Sequence, residues 1–257
     1  MDIQRIAEEI DACQRSGKEM DKVTISYPSL SVEEAYAIQK GCVQHAIDRG
    51  DQLTGWKMGL TSRAKQVSMG VKEPIYGRLT QSMELTEPVL HLEGLIHPRV
   101  EPELAFVLKK ELGGGEVTPR DVWAATECVL PAIEVIDSRY KNFSFTLVDV
   151  IADNASSSKF IVGDQGFSPY TTAWDEVGVS MMKNGEVVQT GAGAAVLGHP
   201  VRSVVELVKM LNRDGISIQP GSVVLTGAVT DAVSVSEGDR IAVQFDQLGS
   251  LRFRVQA

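Results

Sequence analysis

Along residues 100–108, VEPELAFVL, the chain alternates with the period of a β-strand. Val100, Pro102, Leu104, Phe106 and Leu108 fall on one face, and Glu101, Glu103, Ala105 and Val107 on the other. The first face is wholly apolar. The second is apolar beyond its two acids, so the pattern predicts a strand that enters a core with paired carboxylates at its entry end. A second run, VLPAIEVI at 129–136, has the continuous apolar character of a buried strand and is interrupted by one acid, Glu134.

The remaining elements follow from the same periodicities. Ile3, Ile6, Ile10 and Cys13 recur at helical spacing up to a stop at Gly17, and Ser31 with Glu34 forms a capping box for a helix through Ala35, Ile38, Cys42 and Ala46 to Gly50. LTGWKMGLTS at 53–62 alternates again, placing Lys57 between Gly55 and Gly59 on one face and Trp56, Met58 and Leu60 on the other. Ser62 caps a short helix, RAKQVSM, closed by Gly70, and PIYG at 74–77 has turn composition. Thr118, Pro119 and Asp121 stand as N-cap, N1 and N3 of a helix over TPRDVWAATECVL. ADNASSSKF, at 152–160, has the composition of a polar loop. GAGAAVLGHP lacks the GK[ST] and the strand-to-helix setting of a phosphate loop, so it is a backbone turn before a helix that Pro200 starts and Gly215 ends. The tail, PGSVVLTG, DAVSVSEGDRIAVQF and SLRFRV, predicts a β meander with turns at 237–239 and 248–249.

With 257 residues and 43 % hydrophobic content, the chain can bury one sizeable core. A net charge of −9 with no basic run argues against nucleic acid or an anionic membrane as partner, whose binding needs clustered Lys and Arg. A small anionic substrate stays open, because a bound cation reverses the local field. Cys13, Cys42 and Cys128 are far apart and form no CxxC pair, so neither a disulfide framework nor a zinc site is expected, and a cytoplasmic setting is. MDIQRIAEEI carries no hydrophobic signal region, and no apolar run reaches the length of a membrane span.

Two ionised carboxylates at the spacing of Glu101 and Glu103 repel each other unless a cation lies between them, and a buried Glu134 needs a cation, an arginine or a shifted pKa. A hard divalent ion such as Mg²⁺ meets all three needs. The alternative is an exposed acidic edge, with Glu134 paired to Arg139 or Arg99. The glycines beside Lys57 favour its pointing into a cavity. Arg63, Lys65, Lys72 and Arg78 make a locally basic segment, either a solvated face or a cover that draws in an anion. Asp137 to Lys141 cluster polar groups directly beyond Glu134, and Arg63 and Arg139 are candidates to hold a substrate carboxylate. His91 and His97 precede the acidic strand without a glutamate at dyad spacing.

Taken in order, GWKMGLTSRAKQVSMGVKEPIYG, HPRVEPELAF, PAIEVIDSRYKNF, ADNASSSKF, GAGAAVLGHP and PGSVVLTG resemble the hydratase/decarboxylase branch of the fumarylacetoacetate hydrolase superfamily over nearly the whole chain. The resemblance implies an α+β, fumarylacetoacetase-like fold with a mixed β-sheet, barrel-like core. It divides the chain into a helical α/β part over 1–80, holding Lys57 and a lid segment, and a β-rich metal-binding catalytic core over 81–257, integrated as one domain. It implies Mg²⁺ or Mn²⁺ on Glu101, Glu103 and Glu134, the same acids the pattern selects, with an active-site lysine at Lys57 and substrate hydrogen bonds from Ser158 and Thr226.

The implied activity is loss of CO₂ from (3E)-2-oxohex-3-enedioate to give 2-hydroxypenta-2,4-dienoate, in meta-cleavage catabolism of aromatic compounds. GWKMGLTS and ADNASSSKF favour this over the sister activity, hydration of 2-hydroxypentadienoate. Many hydratase relatives carry an acid near the PIYG segment, where this chain has Tyr76. The rivals are that hydratase, a C–C hydrolase of acylpyruvates, and a non-catalytic partner of the hydratase. A homo-oligomer, and a complex with the hydratase, are the implied assemblies.

Overall fold

A computed structural model of the chain describes residues 1–68 and 70–257, so the Met69 end of the helix expected over RAKQVSM lies outside the described residues. Asp2 accepts the Arg5 N–H at 3.1 Å and opens α1 (Ile3–Ser16), which buries Ile6, Ala7 and Ile10 and ends where Gly17 turns left-handed at φ +61°. After the single turn α2 (Val23–Ser26), the Ser31–Glu34 box opens α3 (Val32–Asp48) with reciprocal bonds of 3.2 and 2.9 Å. β1 (Leu53–Gly59) stops short of Ser62 because Leu60 adopts φ +55°, and α4 (Arg63–Ser68) follows.

The PIYG segment is not a turn. It opens β2 (Ile75–Thr80), all of whose residues are buried and which pairs antiparallel with β1. Its glycine serves close packing rather than chain reversal: a Cβ at Gly77 would stand 2.6 Å from the Asn154 carbonyl oxygen. β3 (Val89–His91), β4 (Arg99–Leu108), α5 (Pro119–Ala125) and β5 (Thr126–Ile136) come next. The helix expected through ECVL ends at Ala125, where the Thr126 hydroxyl turns back to the Val122 carbonyl at 2.7 Å, and the β-branched run that follows joins the sheet. ADNASSSKF, expected as a loop, is the end of α6 (Leu147–Ala152), a left-handed turn and the strand β6 (Ser157–Val162).

β7 (Gly178–Lys183) and β8 (Glu186–Ala192) form a hairpin about Asn184 and Gly185, at φ +56° and +90°. Asn-Gly between two such runs is the strongest short hairpin signal. α7 (Pro200–Asn212), β9 (Val223–Leu225), β10 (Val233–Ser234), β11 (Arg240–Phe245) and β12 (Gly249–Gln256) complete the chain. The tail is therefore not one meander. β9 inserts between β1, to which it is parallel, and β4, because its short apolar run suits a strand covered on both faces.

Two mixed sheets result, one in the order β2-β1-β9-β4-β5-β6 with β10 beside β4, the other β3-β12-β11-β7-β8. The 80/81 boundary falls across one continuous hydrogen-bonded sheet, since β1 of the first part pairs with β9 of the second. Val100, Leu104, Phe106 and Leu108 pack with Met181, Ile241, Val243 and Phe253 of the second sheet and with Val204, Leu207 and Leu211 of α7. On the opposite face of the first sheet Leu79, Ala105, Ala132, Phe160 and Leu225 form a smaller core, and α1, α3 and α6 enclose a third. Pro102 is tolerated in a central strand because its carbonyl accepts from Val229, so its ring nitrogen points to the same loop and no ladder bond to β5 is lost. Among the described residues, no helix is long and apolar enough to cross a membrane.

One pH effect follows from α7. His199 caps it through Nδ1, which accepts the Val201 N–H at 3.1 Å and must be neutral to do so. Burial holds its imidazolium below the ordinary 6.5, against the pull of Asp175 at 3.7 Å. With the folded pKa below the unfolded one, the cap's contribution is present above the unfolded value and is lost as pH falls through the folded one. Calorimetric melting should show about 1 kcal/mol lost on acidification through this range, and His199→Asn, which keeps the cap, should remove that component.

Candidate metal centre

The β4–β5 register sets Glu101 directly opposite Glu134, with Glu103 one repeat along opposite Ala132. All are buried, and one carboxylate oxygen from each lies within 4.8 Å of the others. Like charges directly opposed across a ladder destabilise it, and burial magnifies the cost. The chain supplies partial compensation. The Lys57 ammonium lies 3.0 Å from Glu134 Oε2, the Lys65 ammonium 3.1 Å from Glu101 Oε1, and the Gly227 N–H donates to Glu103 Oε2 at 2.7 Å. Glu134 thus pairs with neither Arg139 nor Arg99, and the acids are not an exposed edge.

Two lysines leave three acids under-neutralised. Glu103 Oε1 and both Glu134 oxygens have no hydrogen-bond donor among the described residues, for the Lys57 ammonium touches Glu134 outside hydrogen-bonding geometry and donates to the Ala155 carbonyl at 3.0 Å. Three converging carboxylates with unused lone pairs fit a hard divalent cation such as Mg²⁺ or Mn²⁺. Burial pushes the Glu103 carboxyl well above its usual range, reinforced by Glu134, and burial likewise raises Glu134, against the pull of Lys57. Burial alone would lower the Lys57 ammonium, but Glu134, Glu103 and Glu101 hold it above its ordinary value, so it stays charged.

Lys57 is placed by its neighbours. Its cross-strand partner is Gly77, where a Cβ would stand 3.0 Å from Lys57 Cδ, so this glycine opens the channel for the side chain. Gly55, expected to leave room for a ligand, instead admits the β9 backbone: a Cβ there would stand 1.9 Å from the Val223 carbonyl oxygen. The Ala155 carbonyl belongs to a turn in which Asn154, Ala155 and Ser156 all take φ between +51° and +56°. Left-handed backbone costs a non-glycine residue about 1–2 kcal/mol. Asn154 holds the turn by bonding both backbone groups of Arg78, at 2.8 and 2.9 Å.

A cavity of about 380 Å³ opens beside the acids. Lys57, Lys65, Arg99 and Glu101 give it charge, Asp231 stands on its rim, and Phe143, Phe145, Ile75 and Val150 give it apolar wall. The proposed substrate contacts are not brought there. Arg63 is exposed on α4, whereas Lys65, from the same helix, reaches in. Arg139 is buried and engaged, bonding the Asp153 carboxylate and the carbonyls of Asp137, Asp153 and Ser157, which makes it a clamp on the chain rather than a ligand arm. Ser158 lines a separate cavity of about 680 Å³ with Asp51 and Thr80. The Thr226 hydroxyl donates to the Leu104 carbonyl at 2.9 Å, and its neighbour Gly227 makes the contact to the site.

Sequence reasoning placed Lys65 within a basic segment but not its pairing with Glu101, and it missed Gly227 and the aromatic wall. Only the strict helical spacing from Ser62 and the left-handed demand at Gly227, φ +105°, could have pointed to the first two. Arg78 leaves the basic cover: it is buried over the Trp56 and Tyr76 rings. Tyr76 stacks on Tyr36 at 4.4 Å, on the face of β2 away from Lys57. His91 is exposed, while His97 Nε2 lies 2.8 Å from Glu19, a pairing not visible in sequence; neither histidine lines the cavity.

The family model for the fumarylacetoacetate (FAA) hydrolase C-terminal region matches residues 37–256. A 4-oxalocrotonate decarboxylase of Pseudomonas putida is 44 % identical over 250 residues, covering 97 % of this chain and 95 % of that protein. A 2-hydroxypent-2,4-dienoate hydratase of P. putida is also 44 % identical, over 190 residues covering 73 % of this chain and 86 % of its own. Among solved structures, 4-oxalocrotonate decarboxylase from P. putida G7, complexed with magnesium and adipate, superposes with a TM-score of 0.96 at 42 % identity, covering 98 % of this chain and 97 % of that one.

Metal-stripped protein should gain thermal stability on titration with Mg²⁺, by about 2.7 kcal/mol at a hundredfold excess over Kd, and Glu134→Gln should abolish most of that gain. Equal Mg²⁺ response in both proteins would remove Glu134 from the ligand set. Gly227→Ala forces a Cβ to 2.1 Å from Thr61 Oγ1. Chemical denaturation should show it destabilised by about 3 kcal/mol.

Proposed function

The chain belongs to the fumarylacetoacetate hydrolase family, and from that membership we propose that it is a divalent-cation-dependent decarboxylase converting (3E)-2-oxohex-3-enedioate to 2-hydroxypenta-2,4-dienoate and CO₂. The observation that carries this reading is the buried cluster of Glu101, Glu103 and Glu134 opening on a cavity with cationic and aromatic walls, in a fold that superposes on a decarboxylase holding magnesium and a six-carbon dicarboxylate.

Loss of CO₂ breaks the C5–C6 bond. Its electron pair moves to C4–C5, the C3–C4 pair moves to C2–C3, and the C2 carbonyl oxygen takes the charge as a dienolate. Glu101, Glu103 and Glu134 would hold the divalent cation, which when bound supplies Lewis-acid stabilisation of negative charge on an α-keto acid. Lys57, a charged ammonium fixed by Ala155 and Glu134, adds electrostatic stabilisation of the developing oxyanion and carries a proton it can give to the dienolate oxygen. Lys65, ion-paired to Glu101 from α4, closes the cavity on one side and adds positive potential toward an anionic substrate. Phe143, Phe145, Ile75 and Val150 keep water from the reacting chain, an environment that favours the less charged CO₂ over a carboxylate.

The second reading is the hydratase, favoured by the 44 % identity to a hydratase over 190 residues. Against it, Tyr76 is buried in an aromatic stack, so the β2 segment offers the cavity no acid to activate water. A C–C hydrolase would need its water-activating dyad at the cavity, and the His97–Glu19 pair does not line it. The product is the hydratase's substrate, which supports the expectation of an oligomer working beside that enzyme.

CO₂ release from (3E)-2-oxohex-3-enedioate with Mg²⁺ tests the proposal. The wild type should turn over, Lys57→Ala should lose about 10²–10³ in kcat, and Glu101→Gln should lose Mg²⁺-dependent activity. A wild type that hydrates 2-hydroxypentadienoate and releases no CO₂ would transfer the chain to the hydratase reading.

A further inference from the structure

The three cations that line the cavity are not equivalent. Lys57 is held by Glu134 at 3.0 Å and Lys65 by Glu101 at 3.1 Å. Among the described residues, Arg99 has no carboxylate within ion-pair distance and no hydrogen-bond acceptor for its guanidinium, although Asp231 lines the same cavity. Its guanidinium carbon lies 3.9 Å from the centre of the Phe143 ring. Stacking on an aromatic face orients the planar fork and leaves its edge, with its donors, open. Phe143 is itself pinned: its backbone is left-handed at φ +53°, Phe145 packs at 5.4 Å, and His97 meets it edge-on at 6.2 Å.

Arg99 also has the right register. It opens β4 two residues before Glu101 and four before Glu103, so the arginine and both acids project from one face of the strand. Successive positions on that face are about 6.8 Å apart. A six-carbon dicarboxylate whose 2-oxo acid end sat on a cation held by Glu101, Glu103 and Glu134 would be long enough, at about one such repeat, to reach the region that Arg99 lines.

We propose that Arg99 is the residue that reads the second, distal carboxylate of the substrate, and so the residue that makes the site select a dicarboxylate over a monocarboxylate of the same length. The inference rests on the decarboxylase reading for the identity of the substrate but not for the geometry. It assigns Arg99 to binding more than to bond cleavage. The distal carboxylate is the group that departs, and a guanidinium stabilises its ionised ground state more than a transition state in which that charge has moved to the far oxygen. The product lacks that carboxylate, so Arg99 loses its partner on turnover and favours product release.

The test uses a matched pair of non-reacting ligands, 2-oxohexanedioate and 2-oxohexanoate, which differ only at C6 and lack the C3–C4 double bond that decarboxylation needs. With Mg²⁺ present, calorimetric titration of the wild type should show the dicarboxylate bound about 10–100-fold more tightly, the scale of one charge-assisted interaction. Arg99→Met should erase that preference by weakening the dicarboxylate alone, and Arg99→Lys, which keeps the charge but not the planar fork, should recover part of it. In turnover, the loss in Arg99→Met should fall on KM rather than kcat. A preference that survives in Arg99→Met, or equal weakening of both ligands in both variants, overturns the assignment. The two readings fail separately: a preference erased by Arg99→Met without CO₂ release sinks the decarboxylase and keeps the arginine's role, while CO₂ release with an unchanged preference does the reverse.

Discussion

The structure is organised around an electrostatic conflict: Glu101 and Glu134 face each other across a ladder pair with Glu103 beside them, all shielded from water. A buried carboxylate is tolerated only when cations or donors converge on it. Each surrounding element can be understood by what it brings to that conflict. β1 delivers Lys57, α4 delivers Lys65, and the turn after β9 delivers the Gly227 amide. What they leave unsatisfied, an oxygen of Glu103 and both of Glu134, is the binding capacity of the site.

Holding those groups requires further cost in the backbone. The left-handed run at 154–156 and the left-handed Phe143 both border the cavity, and each is over-determined by contacts on its outer side. Asn154 bridges to Arg78, the Arg78 guanidinium reaches Gln39 at 2.5 Å, and Gln39 in turn bonds the Tyr76 and Ile151 carbonyls. Arg139, with four of its five guanidinium donors bonded to Asp153 and neighbouring carbonyls, ties the segment after Glu134 to the segment before β6. Asp137 accepts from the Ile96 and His97 amides and fixes the entry to β4. Asp137 and Arg139 thus spend their polar groups on the chain itself and position the segments around the site.

Much of this was legible. Strand alternation at 100–108 and the lone acid in 129–136 single out the three carboxylates before any contact is known, because a period-2 pattern fixes which side chains share a face. Caps at Ser31, Thr118 and Pro200 are local chemistry, and the corresponding helices start where expected. PIYG misled because glycine is ambiguous: it can mark a turn or a close approach, and only the Asn154 carbonyl packed against Gly77 decides between them. Arg139 misled for a related reason, since an arginine near an acid has the same sequence signature whether its donors are spent on carbonyls or left open.

By itself the sequence determined which acids share a strand face or interrupt an apolar run and where most helices begin, since these depend on periodicity and charge within a few residues; it left open whether those acids are buried together or form an exposed edge. Only the tertiary structure decided which cations are already engaged and which is open. Lys57, Lys65 and Arg99 come from three different elements, β1, α4 and β4, and nothing in the local pattern tells an engaged cation from an open one. Their partners are set by strand register and by the approach of α4, which are contacts between distant parts of the chain that no local pattern encodes.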